Sequence, residues 1–402
     1  MECDKKYITI QQLEQHNKPG DLWVSINGKV YNVSDWSKYH PGGETPLLNL
    51  AGKDVTDAFT AYHPATAWQY LNKFFTGYRL KDYKVSEVSK DYRNLIHEFT
   101  KVGMFENKGH TAVFTLTSVA AMFGFVFYGV LCCNSLWVHL CSAMVLVMAW
   151  IQSAYIGHDS GHYIVMSGHG WNKLVQLITG NCLTGNCLTG ISIAWWKWTH
   201  NAHHIACNSL DCDPDLQHIP VFAVSSWLFN SVQDRTLNIM GIIVFWTWFP
   251  LLVSWLPNWS HRVMFVLTSF VVTSIQHVQF CLNHFSANVY VGPPNGNDWF
   301  EKQTNGTLDI SCSPWMDWFF GGLQFQLEHH LFPRLPRCHL RQVAPLVKDL
   351  CNKHNLPYKS LSFWEANELT IRTLKMAAME ARDVNNSGVS KNFLWEAVTI
   401  HG

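Results

Sequence analysis

The sequence predicts a small α+β domain over residues 6–80. A linker, 81–110, joins it to an all-α membrane domain of four spans over residues 111–402, capped on one face by a metal site. Three observations carry this expectation. Residues 1–100 mix charges, short alternating runs and turns, whereas the stretches 111–133, 135–157, 239–256 and 262–283 are apolar and nearly uncharged. Asn27-Gly28 lies between two alternating runs within Trp23–Val33, a strong hairpin signal. Three tight histidine clusters lie just beyond, or between, the apolar stretches: His158-Asp-Ser-Gly-His162, His200-Asn-Ala-His203-His204 and Gln326-Leu-Glu-His329-His330.

Composition narrows the function classes. The 29 Lys and Arg balance 29 Asp and Glu, so no basic excess recommends a nucleic-acid partner. The 19 Trp and 24 Phe suit a protein with much membrane-interface surface. None of the 12 cysteines forms a CxxC pair, which points to free thiols in a reducing or lipid setting. Residues 1–10 carry Lys5 and Lys6 but no apolar core, so no cleaved signal peptide is expected. The C-terminal Thr399–Gly402 reads as neither a prenylation nor a retention signal.

Each apolar stretch approaches the roughly 20 residues that cross a bilayer. The connector Cys133-Asn134-Ser135 is so short that the first two must form a helical hairpin. The second two are joined by Pro257–His261, and neither connector contains Lys or Arg. The flanking regions are rich in both, so the termini are expected in the cytosol. The stretch 174–196 is apolar too. Gly180, Asn181, Gly185, Asn186 and Gly190 interrupt it and would leave backbone groups poorly shielded in lipid. An interfacial or re-entrant segment is therefore expected. Within it, Asn181-Cys-Leu-Thr-Gly185 is repeated as Asn186-Cys-Leu-Thr-Gly190, with no evident functional reason.

The topology brings the clusters to one membrane face. His158 and His162 are four residues apart, and His200, His203 and His204 follow i, i+3, i+4, so each set shares one side of a helix. His329 and His330 have Gln326 one turn upstream, and His284 ends the fourth span at the same depth. Imidazole is a good ligand for iron, copper, nickel or zinc. Seven imidazoles exceed what one four-coordinate zinc needs, so two metal ions are expected. Asp159, Asn201 and Glu328 are candidates to orient ring N–H groups. Iron with dioxygen attacks unactivated C–H bonds, and a site at the membrane face reaches lipid chains. Such chemistry needs electrons. In the N-terminal domain His40-Pro-Gly-Gly43 and His63 suit axial clamping of a haem iron. Glu44, Asp54 and Asp57 lie nearby, suited to facing a basic reductase.

Residues 6–80 resemble cytochrome b5 in His40-Pro-Gly-Gly43, Trp23, Asp54-Val-Thr-Asp57 and Phe59. The remainder resembles the membrane desaturases with three histidine boxes. The fused domain, together with Gln326 opening the third box, is characteristic of the front-end group. Trp195–His204, Asp213–Pro220 and Gly321–His330 look most like plant sphingolipid long-chain-base 8-desaturases; the plant 6-acyl-lipid desaturases are very similar in motifs. The resemblance implies haem b on His40 and His63, and two non-haem iron ions on His158, His162, His200, His203, His204, His284, His329 and His330, with Gln326 as a weak or water-mediated ligand. It further implies dioxygen as co-substrate, NADH through cytochrome b5 reductase, a long-chain base or ceramide as membrane lipid substrate, and an endoplasmic-reticulum membrane. Two features depart from the pattern: the pentad repeat, and an internal deletion after residue 229, where Phe229–Arg235 runs almost directly into the third span. The deletion leaves open a catalytically impaired haem-binding variant, and a hydroxylase is a further alternative.

Overall fold

The computed structural model describes residues 6–107, 109–185, 193–209, 211–214, 235–285, 290, 292 and 298–386. In the N-terminal domain, β1 (Lys6–Ile8), β2 (Asn17–Lys18), β3 (Asp21–Ile26), β4 (Lys29–Asn32) and β5 (Phe75–Leu80) form one sheet in the order β1-β5-β4-β3-β2. The expected hairpin is present. Asn27 and Gly28 both have positive φ, 50° and 69°, and Ile26 pairs with Lys29, as a two-residue turn requires. Leu22, Val24 and Ile26 alternate onto one face of β3. They pack against Ala51, Val55 and Leu71. The helices α1 (Ile10–Leu13), α2 (Thr45–Leu50) and α3 (Thr56–Tyr62) complete the domain.

The expected linker is largely structured. Ser86 caps α4 (Glu87–Lys101) by accepting from the Ser89 N–H. The apolar side of α4 is built into the core of the membrane domain's cap, where Tyr92 and Phe99 pack on Phe332 and the Tyr92 hydroxyl donates to the Leu331 carbonyl at 2.6 Å.

Next, α5 (Gly109–Cys132) and α6 (Leu136–Gly161) form the expected hairpin. It is followed by α7 (His169–Gln176), α8 (Ile193–Ala206), α9 (Arg235–Ser254) and α10 (Trp259–Phe285). Among the described residues, three helices are long and apolar enough to cross a membrane: Thr111–Cys132, Leu136–Gly161 and Thr236–Ser254. The fourth expected span lies within α10, but the side chains of 276–281 fall outside the described residues. Val130, Leu146, Val147, Trp150, Phe245, Phe249 and Phe265 form the shared interior. Phe114, Phe125, Ile243 and Leu251 face outward from the three apolar helices, and Leu267 and Val271 from α10. Trp137, Trp255 and Trp259 are exposed at the ends near the two short connectors, where amphipathic rings favour the bilayer interface.

The segment between the first two histidine clusters continues α7 as wide helical turns over Leu177–Leu183. Together these 15 residues reach about 22 Å at 1.5 Å per residue, short of the roughly 30 Å hydrocarbon core. The segment is held inside protein: the Asn181 side chain donates to Asn238 Oδ1 at 2.7 Å and accepts from the Ile193 N–H at 3.0 Å. Backbone at membrane depth is tolerated where protein buries it. The second pentad copy, 186–190, and the shortened stretch around 229 lie outside the described residues.

The cap consists of α11 (Trp299–Gly306), α12 (Met316–Phe320), α13 (Gln326–Leu331), α14 (Leu340–Lys353), α15 (Phe363–Asn386) and the parallel pair β6 (Asp309–Ser311) and β7 (Ser360–Ser362). Gly321 ends α12 at φ +60°, and a Cβ there would lie 2.5 Å from the Tyr155 ring. Gly321→Ala is therefore expected to destabilise the junction of α6 with the cap by about 1–3 kcal/mol. Thermal unfolding in detergent, with Gly124→Ala (open space around its Cβ position) as reference, measures the difference.

Candidate haem and metal sites

In the N-terminal domain, the short 3-10 helix Ser34–Tyr39 ends at His40. Gly43, at φ +91°, folds the chain back so that His40 Nδ1 donates to the Gly43 carbonyl at 2.7 Å. His63 ends α3, and its Nδ1 donates to the Phe59 carbonyl at 3.1 Å. Anchoring both Nδ1 atoms leaves both Nε2 atoms for ligation. The two rings face each other with centroids 6.0 Å apart. Two coordinate bonds of about 2 Å each plus the half-widths of two imidazoles account for that separation. Burial, then the neighbouring His40, lowers the His63 pKa to about 4. Burial also lowers that of His40 against the opposing pull of the Gly43 carbonyl. Neutral imidazoles with free lone pairs are what an axial haem site needs.

The membrane domain gathers the three histidine clusters at the cap. His158 and His162 come from the end of α6, His200, His203 and His204 from α8, and His329 and His330 from α13. The ligand atoms of His158, His162, His200, His204 and His329 all lie within 4.8 Å of one another, and those of His203, Cys207 and His330 form a second such group. All these side chains are buried. His158 Nε2 lies 3.1 Å from His200 Nε2, which lies 2.9 Å from His204 Nε2. Three ring nitrogens thus converge on one point. The buried nitrogens His162 Nε2, His204 Nδ1 and His329 Nε2 have no hydrogen-bond partner among the described residues. Burial, reinforced by neighbouring imidazoles, holds His204 and His329 well below the usual histidine range. Crowded, neutral, inward-facing imidazoles fit metal ions and little else. A spanning segment between the first two clusters would have put them on opposite faces, so their meeting agrees with the re-entrant reading.

Outer partners orient these rings. Asp159 accepts from His158 Nδ1 at 3.0 Å and from Arg337 Nε at 2.6 Å. Both Asp213 oxygens lie 2.9 Å from His203 Nδ1. Gln303 accepts from His330 Nδ1 and donates to the His204 carbonyl, both at 3.0 Å. The Gln326 amide lies 2.8 Å from His330 Nε2. Losing such an orienting carboxylate typically costs about 10–100-fold in metal affinity. Asp213→Ala is expected to lose iron to a chelator at correspondingly lower concentration, read as iron retained after dialysis.

Three expectations are corrected. Asn201 does not orient an imidazole: its amide donates to the Gly42 carbonyl in the N-terminal domain at 3.2 Å. Glu328 faces Asp309 and Tyr358 rather than a histidine, with the Tyr358 hydroxyl 3.1 Å from its carboxyl and 2.9 Å from that of Asp309. Burial, then the Asp309 charge, pushes the Glu328 carboxyl well above its usual range. Asp57 does not present itself to a reductase: it is buried against Arg93 and Ser89 of α4. His284 lies on the last turn of α10, and its side chain falls outside the described residues. Gln303 and Cys207 went unnoticed in the sequence, Gln303 without any motif to mark it and Cys207 one helical turn beyond His203.

Residues 9–79 match the family described as cytochrome b5-like heme/steroid binding domain, and residues 218–362 match the fatty acid desaturase family. The protein named Delta(8)-fatty-acid desaturase 2 of Arabidopsis thaliana is 62% identical, over 99% of this chain and 99% of its own. The Delta(8)-fatty-acid desaturase of Borago officinalis is 58% identical over 100% of both chains. The acyl-lipid (9-3)-desaturase of Borago officinalis is 53% identical over 99% of both. The first alignment runs over 449 positions against 402 residues, so at least 449 − 402 = 47 positions hold no residue of this chain. With full-length identity at this level, the haem cleft inside the first family match and His329 and His330 inside the second, the chain belongs to the fatty acid desaturase family, in its cytochrome b5-fused form.

Proposed function

We propose that this chain is an oxidoreductase that introduces a double bond between C8 and C9 of sphingolipid long-chain bases. The observation that carries this reading is the packing of a bis-histidine haem cleft directly against a buried imidazole cluster at the end of apolar helices. Four relatives named Delta(8)-fatty-acid desaturase, 56–62% identical, support the position of the double bond.

His40 and His63 hold haem b. His158, His162, His200, His204 and His329 would hold one iron ion, and His203 and His330 a second; Gln326 would be a weak or water-mediated ligand, and His284 is added from the sequence. Iron with dioxygen supplies an oxidant able to remove two hydrogens from an unactivated chain. The protein's own contribution is orientation and exclusion of water. Asp159, Asp213 and Gln303 fix the ring tautomers, and Arg337 holds Asp159 while its guanidinium also donates to the Tyr155 carbonyl at 2.8 Å. NADH-dependent cytochrome b5 reductase is the electron source. We assign four spans with both termini in the cytosol of the endoplasmic reticulum, where long-chain bases or ceramides enter the site from the bilayer. The positions lacking in this chain we assign to the stretch after residue 229; they remove none of the histidines named above.

Lipid profiling in a host without such activity tests the reading. New 8-unsaturated bases are the expected product. Six-unsaturated acyl chains would favour the acyl-lipid activity that the 53% identical relative suggests, and hydroxylated chains a hydroxylase. Unchanged lipids beside a normally reduced haem would mark the shortened stretch as indispensable and the chain as an impaired variant.

A further inference from the structure

The haem domain is clamped to the metal cap at several points. The Gly42 carbonyl accepts from Asn201, which lies between His200 and His203. Gly43 leaves room for Trp198, whose side chain is 3.4 Å from where a Cβ would stand. Arg334, four residues after His330, donates to the His63 carbonyl. On the far flank Asp57 pairs with Arg93 of α4, the helix whose cap residue Ser86 donates to Asp298 at 2.6 Å. The two domains therefore meet with the haem cleft toward the imidazole cluster.

Across that junction a side chain of the haem domain meets a candidate metal ligand. Tyr62 is the residue before His63. Its ring stands edge-on to His204, centroids 5.8 Å apart at 87°, and edge-on to Trp299 at 6.0 Å and 82°. Its hydroxyl is buried and has no hydrogen-bond partner among the described residues. A buried hydroxyl without a partner is costly, so hydrogen bonding gives no reason for tyrosine here. What the position supplies is an aromatic ring, covalently one residue from a haem ligand and in contact with His204. Electron transfer falls off exponentially with distance and crosses packed atoms better than a gap.

Resting on the functional reading above, we propose that the Tyr62 ring is the contact through which electrons pass from the haem domain to the metal site. Each transfer moves one electron from reduced haem to an oxidised non-haem iron. The ring is unchanged, and no bond forms or breaks. The rival route runs through the Asn201–Gly42 hydrogen bond.

Stopped-flow reoxidation of pre-reduced haem, in protein loaded with haem and non-haem iron, separates the two routes. Tyr62→Ala is expected to slow the iron-dependent phase by about tenfold or more, since opening a gap removes the contacts on one side of it. Tyr62→Phe and Asn201→Ala are expected to stay near the wild-type rate. Hydrogen exchange of residues 56–63 and 331–337 is measured in the iron-free protein, together with the haem reduction potential. Both are expected to be unchanged in Tyr62→Ala, which a merely structural role would not allow. The inference is overturned by an unslowed Tyr62→Ala, by a Tyr62→Phe as slow as Tyr62→Ala, by slowing in Asn201→Ala alone, or by lost exchange protection accompanying the slowing. Normal transfer without 8-unsaturated product would sink the substrate reading and leave this one standing.

Discussion

His204→Ala is expected to abolish desaturation while leaving the haem spectrum intact. His204 is fully buried and lies at the centre of the imidazole cluster. Its Nε2 is 2.9 Å from that of His200, and its ring stacks on His330 with centroids 4.1 Å apart. Removing it deletes a ligand and opens a void next to both groups of donors. The loss in iron affinity should exceed the about 10–100-fold typical of an orienting partner, because the donor itself is gone. Desaturated product should fall below detection, and non-haem iron should drop in step. The Soret band should keep its position, since the substitution leaves both haem ligands, His40 and His63, in place. Lipid analysis, iron determination and absorption spectroscopy on one preparation read all three.

The second large effect is expected from His40→Ala, with the opposite pattern. His40 is held by its Nδ1 bond to the Gly43 carbonyl, a geometry for which Pro41, Gly42 and Gly43 bend the chain. Without the imidazole the haem loses one of two axial ligands. The Soret band should weaken or shift, desaturation should vanish for lack of electrons, and non-haem iron should stay at the wild-type level. Full desaturation by His40→Ala would show that a separate electron carrier serves the metal site and that the fused domain is dispensable.

Much of this was legible in the sequence because it is local. Asn27-Gly28 specifies its hairpin by backbone geometry alone, and the three-residue connector 133–135 leaves α5 and α6 no choice but to pair. The i, i+4 spacing of His158 and His162, and the i, i+3, i+4 spacing of His200, His203 and His204, predicted which rings share a helix side. The glycines and asparagines of 180–190 argued against a span, and the meeting of the first two clusters agrees. What escaped the sequence depends on neighbours far apart in the chain. Nothing near Arg337 in sequence announces Asp159, which is 178 residues away. Gln303 reaches the His204 carbonyl across 99 residues. Asn201 and Glu328 sit inside or beside the boxes, so proximity in sequence suggested imidazole partners. Each points away from the metal ligands: Asn201 to the haem loop, Glu328 to Asp309. Asp57 looked like an exposed acid because a sequence does not show α4 covering it with Arg93.

Metal content tests the central claim most directly, because every proposed step depends on imidazoles holding iron. Purified full-length protein, expressed with iron and haem precursors, is predicted to contain one haem b and two non-haem iron ions per chain. Protein that repeatedly carried a full complement of haem and no non-haem iron would contradict it, provided its 62% identical Arabidopsis thaliana relative, prepared alongside, retained iron.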